Sequence, residues 1–403
     1  MEPKKNLVYF QSGGPTAVIN CSLYGVIKEA EKHPEIDHIY GARYGVEGLI
    51  DDNLIDLRKQ DPEQIELLKQ TPGAILGSTR KKLPEDGNPL FAKIIETIQK
   101  HNIGYVLVNG GNDSMDTCLR LSRFFEEKKM DVEVIGIPKT IDNDLEVTDH
   151  SLGYPSAALH IINTTKMIVE DAKAYKKGKI VLIEIMGRDT GWLTASVDLL
   201  SEDCRPDLIY VPEAKWDEAQ FLKDVKAVYD KNGYAVCAVS EGMPVQHENA
   251  IEADAFGHKS MDGCCVTLAE IVKNKLGIGA RSIELSIPER ADPLFTTEVD
   301  QKEAIRCGAF AVKSVLKGNT GFMVCLKRIH GKPYRSIAFL APVDQIADKT
   351  KLLPDEFLKD SKKMSSKFRA YIEPLLMVTR RRHIYEKNGI YKSSRLINTR
   401  VKA

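Results

Sequence analysis

The sequence predicts an α/β protein in two domains, with parallel-rich sheets covered by helices on both faces. Three observations lead there. The 403 residues are too many for one small core. In the first third, a short apolar run passes into a glycine turn and then into a segment of helical period, and this happens twice. The middle third repeats the alternation of strand and helix. Alternating units of this kind pair in parallel through crossovers, and their ligands sit at the carboxyl ends of the strands.

The elements follow in order. Leu7 to Phe10 is a strand, Ser12-Gly13-Gly14-Pro15-Thr16 a turn, and the next helix turns Ile19, Leu23, Val26, Ile27 and Ala30 to one face. Tyr105 to Val108 is a second strand, closed by Asn109-Gly110-Gly111-Asn112-Asp113-Ser114, and its helix carries Met115, Cys118, Leu119 and Phe125 inward. Val134, Ile135 and Ile137 mark a buried strand that ends in the loop Pro138 to Asp144. A long helix from about Ser156 to Ala174 opens the second unit. Its strands are Ile180 to Met186, ending in Gly187-Arg188, and Tyr234 to Val239, ending in Ser240-Glu241-Gly242. The segment from Leu276 to Arg290 is expected to return the chain to the first domain. From Ser361 onward the chain is rich in Lys and Arg, including Arg380-Arg381-Arg382. With few aromatics interleaved, this tail reads as a solvated face or subunit contact, not a nucleic-acid patch.

Composition narrows the function. Lys plus Arg and Asp plus Glu both number 57, so net charge points to neither nucleic acid nor membrane as a bulk partner. No apolar run approaches the ~20 residues of a membrane span, and the first residues lack a signal peptide's apolar stretch. The eight cysteines show no C-x-x-C or Cys/His ligand spacing, which indicates neither a zinc site nor a disulfide framework. A cytoplasmic protein is expected.

The motifs are weak singly. Either glycine turn is by default a tight strand-to-helix connection, although glycines also let a backbone approach phosphate at a helix N-terminus. Neither is a P-loop or a G-x-G-x-x-G fingerprint. Asp113 and Ser114 read equally as helix caps, and Arg80 in Leu76-Gly77-Ser78-Thr79-Arg80 as a surface charge. Asp142 and Asp144 alone would make an Asx-turn. Together, two carboxylates after a buried strand with Lys139 three residues before the first supply a proton acceptor, a Mg2+ ligand and a phosphate anchor, the minimum for phosphoryl transfer to an alcohol. Met186-Gly187-Arg188, Glu241, Arg281 and Arg290 add groups that suit a sugar phosphate.

In this order, Ser12-Gly13-Gly14, Leu76-Gly77-Ser78-Thr79-Arg80, Thr140-Ile141-Asp142-Asn143-Asp144 and Met186-Gly187-Arg188 resemble the phosphofructokinase family, and most closely its pyrophosphate-dependent branch. The resemblance runs from Ser12 to about Arg290, and the Thr140 to Asp144 string is its most specific part. It implies two doubly wound Rossmann-like domains with the active site in the cleft between them. Residues 1–153 with about 289–345 would hold pyrophosphate and Mg2+, 154–288 the sugar phosphate, and 346–403 would form a basic helical extension. The implied reaction is reversible phosphorylation of the 1-hydroxyl of fructose 6-phosphate.

The same resemblance implies Asp142 as general base, Asp144 and Asn112 at the metal, and Arg80 on the transferring phosphoryl group. Gly13, Gly14, Lys139, Asp113 and Ser114 would bind pyrophosphate, and Thr140, Met186, Gly187, Arg188, Glu241 and Arg290 the sugar phosphate. Lys179 and Arg281 would reach across an interface of a homodimer or homotetramer. ATP-using members carry glycine where this chain has Asp113 and Lys139, so the carboxylate would repel a nucleotide and the lysine would bind pyrophosphate directly. Departures from the family pattern are Asn112 in place of an aspartate, Ile287 in place of a histidine and Glu289 in place of a glutamine. The alternatives are an ATP-dependent member and a regulatory chain that binds sugar phosphates without catalysis.

Overall fold

The computed structural model describes residues 4–84, 89–245, 263–329, 333–360, 363–377, 383–386 and 390–401. Strands β1 (Lys5–Gln11), β2 (Ile36–Ala42), β3 (Leu54–Asp56), β4 (Ile103–Gly110) and β5 (Glu133–Pro138) belong to one sheet. A second sheet holds β6 (Ile180–Ile185), β7 (Leu208–Tyr210), β8 (Ala235–Ser240) and β9 (Ala280–Glu284). The chain then rejoins the first sheet with β10 (Phe322–Ile329) and β11 (Arg335–Pro342). The first sheet runs β11-β10-β5-β4-β1-β2-β3, parallel except at its antiparallel edges β3 and β11. The second runs β7-β8-β6-β9 and is wholly parallel. This is the parallel-rich α/β fold expected from the alternation of elements.

Strands buried on both faces need near-continuous apolar sequence, and Leu7-Val8-Tyr9-Phe10 in β1 and Ile180-Val181-Leu182-Ile183 in β6 supply it. Successive residues enter different cores. Val8, Phe10, Val106 and Val108 pack on one face of the first sheet; Leu7, Tyr9, Leu107 and Ile135 pack on the other. The helix Ile19–Ala30 lies against the helix Glu298–Val315 at very close range. A Cβ on Gly25 would stand 2.0 Å from the Ile305 carbonyl oxygen, and one on Gly308 2.1 Å from that of Ser22.

Two expectations need correction. Leu276 to Arg290 does not go straight back to the first domain. Gly277 ends the helix Cys264–Leu276 in a left-handed conformation, and Ala280–Glu284 then pairs with β6 as an edge strand of the second sheet. The tail is also not a helical extension. Among its described residues it has a short hairpin, β12 (Leu358–Asp360) with β13 (Lys363–Met364), and one α-helix, Ser366–Ile372. The rest is largely irregular and is held by side chains of the body. Gln60, Gln64 and Gln70 bond the main chain at Ile397, Arg395, and Ile384 and Lys392. Arg380, Arg381 and Arg382 lie outside the described residues.

A buried charge network ties the loop after β5 to the body. His150 is fully buried between Asp149 (2.9 Å) and Glu303 (2.7 Å), and Arg328 pairs with Asp149. Burial would push the imidazole down. The Glu303 and Asp149 carboxylates reverse this and hold it at about 9, against an ordinary 6.5. A histidine raised in the folded state stabilises below its unfolded value and loses that contribution as pH rises through its folded value. Unfolding free energy, measured by urea denaturation, is expected to fall between pH 6.5 and 9.5 by about 3 kcal/mol. His150→Gln should flatten that slope; an equally steep decline in the variant would contradict the assignment.

Candidate active site

Strand register brings the loops together. Gln11 of β1 lies opposite Asn109 of β4, and Gly110 of β4 opposite Pro138 of β5, so the turns after all three leave one edge of the first sheet. Ile185 of β6 lies opposite Ser240 of β8, and Glu184 opposite Glu284 of β9, so the second sheet gathers Met186 to Arg188, Glu241 and the helix Ser286–Ala291 in the same way. The two edges face each other: a Cβ on Gly14 would stand 3.2 Å from the Arg290 Nη1.

On the first edge, Gly13 adopts φ 77° and donates its N–H to the Thr79 carbonyl at 3.1 Å. Its own carbonyl accepts from the Ser78 hydroxyl at 2.6 Å. Lys139 is only 3% exposed, and its Nζ donates to the Gly14 carbonyl at 2.7 Å. A side chain at position 13 would meet that ammonium at 3.1 Å. Burial pushes Lys139 down to about 8, while Asp142 and Asp144 pull it upward. Asp113, in the first turn of the helix Asn112–Glu127, pairs with Lys82 at 3.1 Å. Ser114 is buried and packs its hydroxyl against Gly110.

The carboxylates sit on a fastened loop. The Thr140 hydroxyl accepts from the Asp142 N–H (3.1 Å), the Thr190 hydroxyl donates to the Asp142 carbonyl (3.1 Å), and the Lys351 N–H donates to the Asp144 carbonyl (2.7 Å). Burial, and then the Asp144 and Glu241 charges, push Asp142 up to about 8 against Lys139 and Arg188. Burial also raises Asp144, against Lys351, Thr140 and Lys139. Arg80 is exposed and contributes to the field at Lys139 and Arg290.

The oxygen atoms suit a hard cation. The Asn112 Nδ2 donates to the Lys349 carbonyl, which leaves its Oδ1 as the buried end, and that oxygen has no hydrogen bond. The Asp144 Oδ1 is likewise buried without a partner. Among the described residues no cluster of three or more His, Cys, Asp or Glu is placed to hold a metal. The Asn112 and Asp144 Oδ1 atoms are each an oxygen donor of the kind Mg2+ takes, and Mg2+ keeps waters and substrate phosphates in the rest of its shell.

On the second edge, Glu289 accepts from the Met186 N–H at 2.9 Å and Glu241 from the Gly187 N–H at 3.3 Å. The Nε atoms of Arg188 and Arg290 are buried without partners, two donors suited to an anion. Glu289 is 1% exposed, and burial raises its carboxyl well above the usual range, as do the Glu241 and Asp142 charges. Its second oxygen has no hydrogen bond, and Glu289 lines a small cavity with Glu184, Met186, Glu241, Glu284 and Ser286. Lys179 and Arg281 are not part of this grouping. Both are exposed at the start of the strands that end at it, about 20 Å away at ~3.3 Å per residue. Sequence reasoning gave no role to Lys82, Thr190, Lys351 or Glu289. Only Glu289 left a signal, as a departure from the family's glutamine.

The profile of the family described as "Phosphofructokinase" matches residues 6–315. The chain belongs to the phosphofructokinase family. Among its relatives in that family, the pyrophosphate–fructose 6-phosphate 1-phosphotransferase of Rhodospirillum rubrum is 36% identical over 93% of this chain and 94% of the relative. A sulfofructose kinase of Alkalicoccus urumqiensis is 32% identical over 87% of this chain and 91% of the relative. The crystal structure of the pyrophosphate-dependent phosphofructokinase of Nitrosospira multiformis superposes with a TM-score of 0.89 at 32% identity, covering 99% of this chain and 98% of that one.

The raised Glu289 carboxyl carries a testable consequence. Glu289→Gln should unfold in urea at nearly the wild-type midpoint, because the amide still accepts from Met186. Glu289→Ala orphans that N–H and should cost about 1–3 kcal/mol. Equal losses in both variants would show that the carboxyl is charged.

Proposed function

We propose that this phosphofructokinase-family chain transfers a phosphoryl group from pyrophosphate to the 1-hydroxyl of fructose 6-phosphate, giving fructose 1,6-bisphosphate and phosphate. The observation that carries the donor is Lys139, a buried ammonium resting on the Gly14 carbonyl beside Gly13. It sets an amine at the glycine turn whose charged form the Asp142 and Asp144 carboxylates favour. Asp113 sets a carboxylate at the start of the neighbouring helix, where a nucleotide's inner phosphate would be repelled. The Rhodospirillum rubrum and Nitrosospira multiformis relatives, named for pyrophosphate, support the same donor.

Asp142 takes the proton of the 1-hydroxyl as its oxygen attacks the terminal phosphorus. The bridging P–O bond breaks, and its electron pair leaves with phosphate. Arg80 meets the charge on the transferring group, and Gly13, Gly14 and Lys139 hold the donor. Asn112 and Asp144 would hold Mg2+, which when bound neutralises charge on the phosphate oxygens. Thr140, Met186, Gly187, Arg188, Glu241 and Arg290 hold the sugar phosphate. Lys179 and Arg281 serve the site of a second subunit in a homodimer or homotetramer. A phosphoanhydride without a nucleotide gives up little free energy on transfer, so the reaction runs both ways. Residues 1–153 with 289–345 form the donor part and 154–288 the acceptor part of a cytoplasmic enzyme. No described helix is long and apolar enough to cross a membrane.

The test is a coupled assay with Mg2+, fructose 6-phosphate and either pyrophosphate or ATP. Turnover with pyrophosphate is expected; turnover with ATP and none with pyrophosphate would overturn the reading. Asp142→Asn should lower kcat about 10²–10⁴-fold and leave the KM for pyrophosphate near wild type.

A further inference from the structure

Asn143 lies between the two carboxylates and is fully buried, with φ 57°. Asparagine is one of the few non-glycine residues that take this left-handed region readily. Both ends of its amide are engaged. The Ser151 N–H donates to Oδ1 at 2.9 Å, which fixes that end as oxygen and leaves Nδ2 to donate to the Tyr371 hydroxyl at 3.0 Å. That hydroxyl in turn donates to the Asp149 carbonyl at 2.9 Å. One oxygen of the tail thus bridges two points of the loop that carries Asp142 and Asp144.

Tyr371 is itself held. Its ring packs on Trp192 and Phe357, each with centroids 5.4 Å apart, and the Arg328 guanidinium lies 4.7 Å from its centroid. Arg328 Nη1 donates to the Tyr371 carbonyl at 2.8 Å, and the same guanidinium pairs with Asp149. Both residues lie beyond residue 315, where the family match ends.

We propose that Tyr371 is a positioning residue for the transfer reaction. Through the Asn143 amide its hydroxyl sets the orientation of Asp142 and Asp144, so the segment after residue 315 belongs to the working site. The Thr190 hydroxyl and the Lys351 N–H fix the carbonyls of Asp142 and Asp144; the residue between them depends on Tyr371 and Ser151. Misplacing reacting groups by about 1 Å is enough to cost up to ~10²-fold in rate.

This rests on the proposed function, and the test separates the two. Tyr371→Phe keeps the ring contacts and removes the bridge. With pyrophosphate as donor, kcat is expected to fall about tenfold in both directions, with KM for both substrates within about twofold. Asn143→Ala should fall at least as far, and the double variant no further than Asn143→Ala alone. Leu375→Ala loosens the tail's packing at a buried residue outside the bridge, and is expected to lower the Tm at near wild-type kcat. An active wild type with an unchanged Tyr371→Phe rate, or with equal kcat losses in Tyr371→Phe and Leu375→Ala, overturns this inference alone. A wild type inert with pyrophosphate fails the functional reading instead.

Discussion

The contact of the Lys139 ammonium with the Gly14 carbonyl joins the ends of β5 and β1, and the site is arranged around it. A buried ammonium is costly unless opposite charge or good acceptors surround it. Here one carbonyl and the Asp142 and Asp144 carboxylates do so. The same burial raises both carboxyls, Asp142 to about 8, where Lys139 also lies. An anionic donor entering beside Lys139 would favour its charged form.

The second sheet brings a different environment to the same cleft. Arg290 reaches the glycine turn of the first sheet, while Glu241 and Glu289 accept the two main-chain N–H groups after β6. The Glu289 carboxyl, raised by burial, stands on the same edge as two incompletely bonded guanidinium groups, where the family resemblance implies a glutamine. The tail completes the arrangement by holding the acid loop from behind.

The sequence was most informative where backbone rules are local. Apolar runs and glycine turns located β1, β4, β5, β6 and β8 and the turns after them, because a parallel sheet forces all those turns to one edge. The Thr140 to Asp144 string marked the family. The edge strand β9 was missed because five residues between a helix and a turn carry little periodic signal. Lys82, Thr190 and Lys351 were illegible because their partners lie tens to hundreds of residues away: Lys82 pairs with Asp113, Thr190 with Asp142 and Lys351 with Asp144. The tail misled for a related reason. Its composition suggested a solvated helix, whereas Leu375 and Phe368 are buried in the core of the second sheet and Leu396 in that of the first.

On the proposed function, Lys139 with Asp113 selects the phosphoryl donor. The most direct measurement is kcat/KM for pyrophosphate and for ATP in the Asp113→Gly, Lys139→Gly double variant. Pyrophosphate use is expected to fall about ten- to hundredfold, the size of a lost charge-assisted contact, with ATP turnover rising above the wild-type level. Unchanged values for both donors would contradict it.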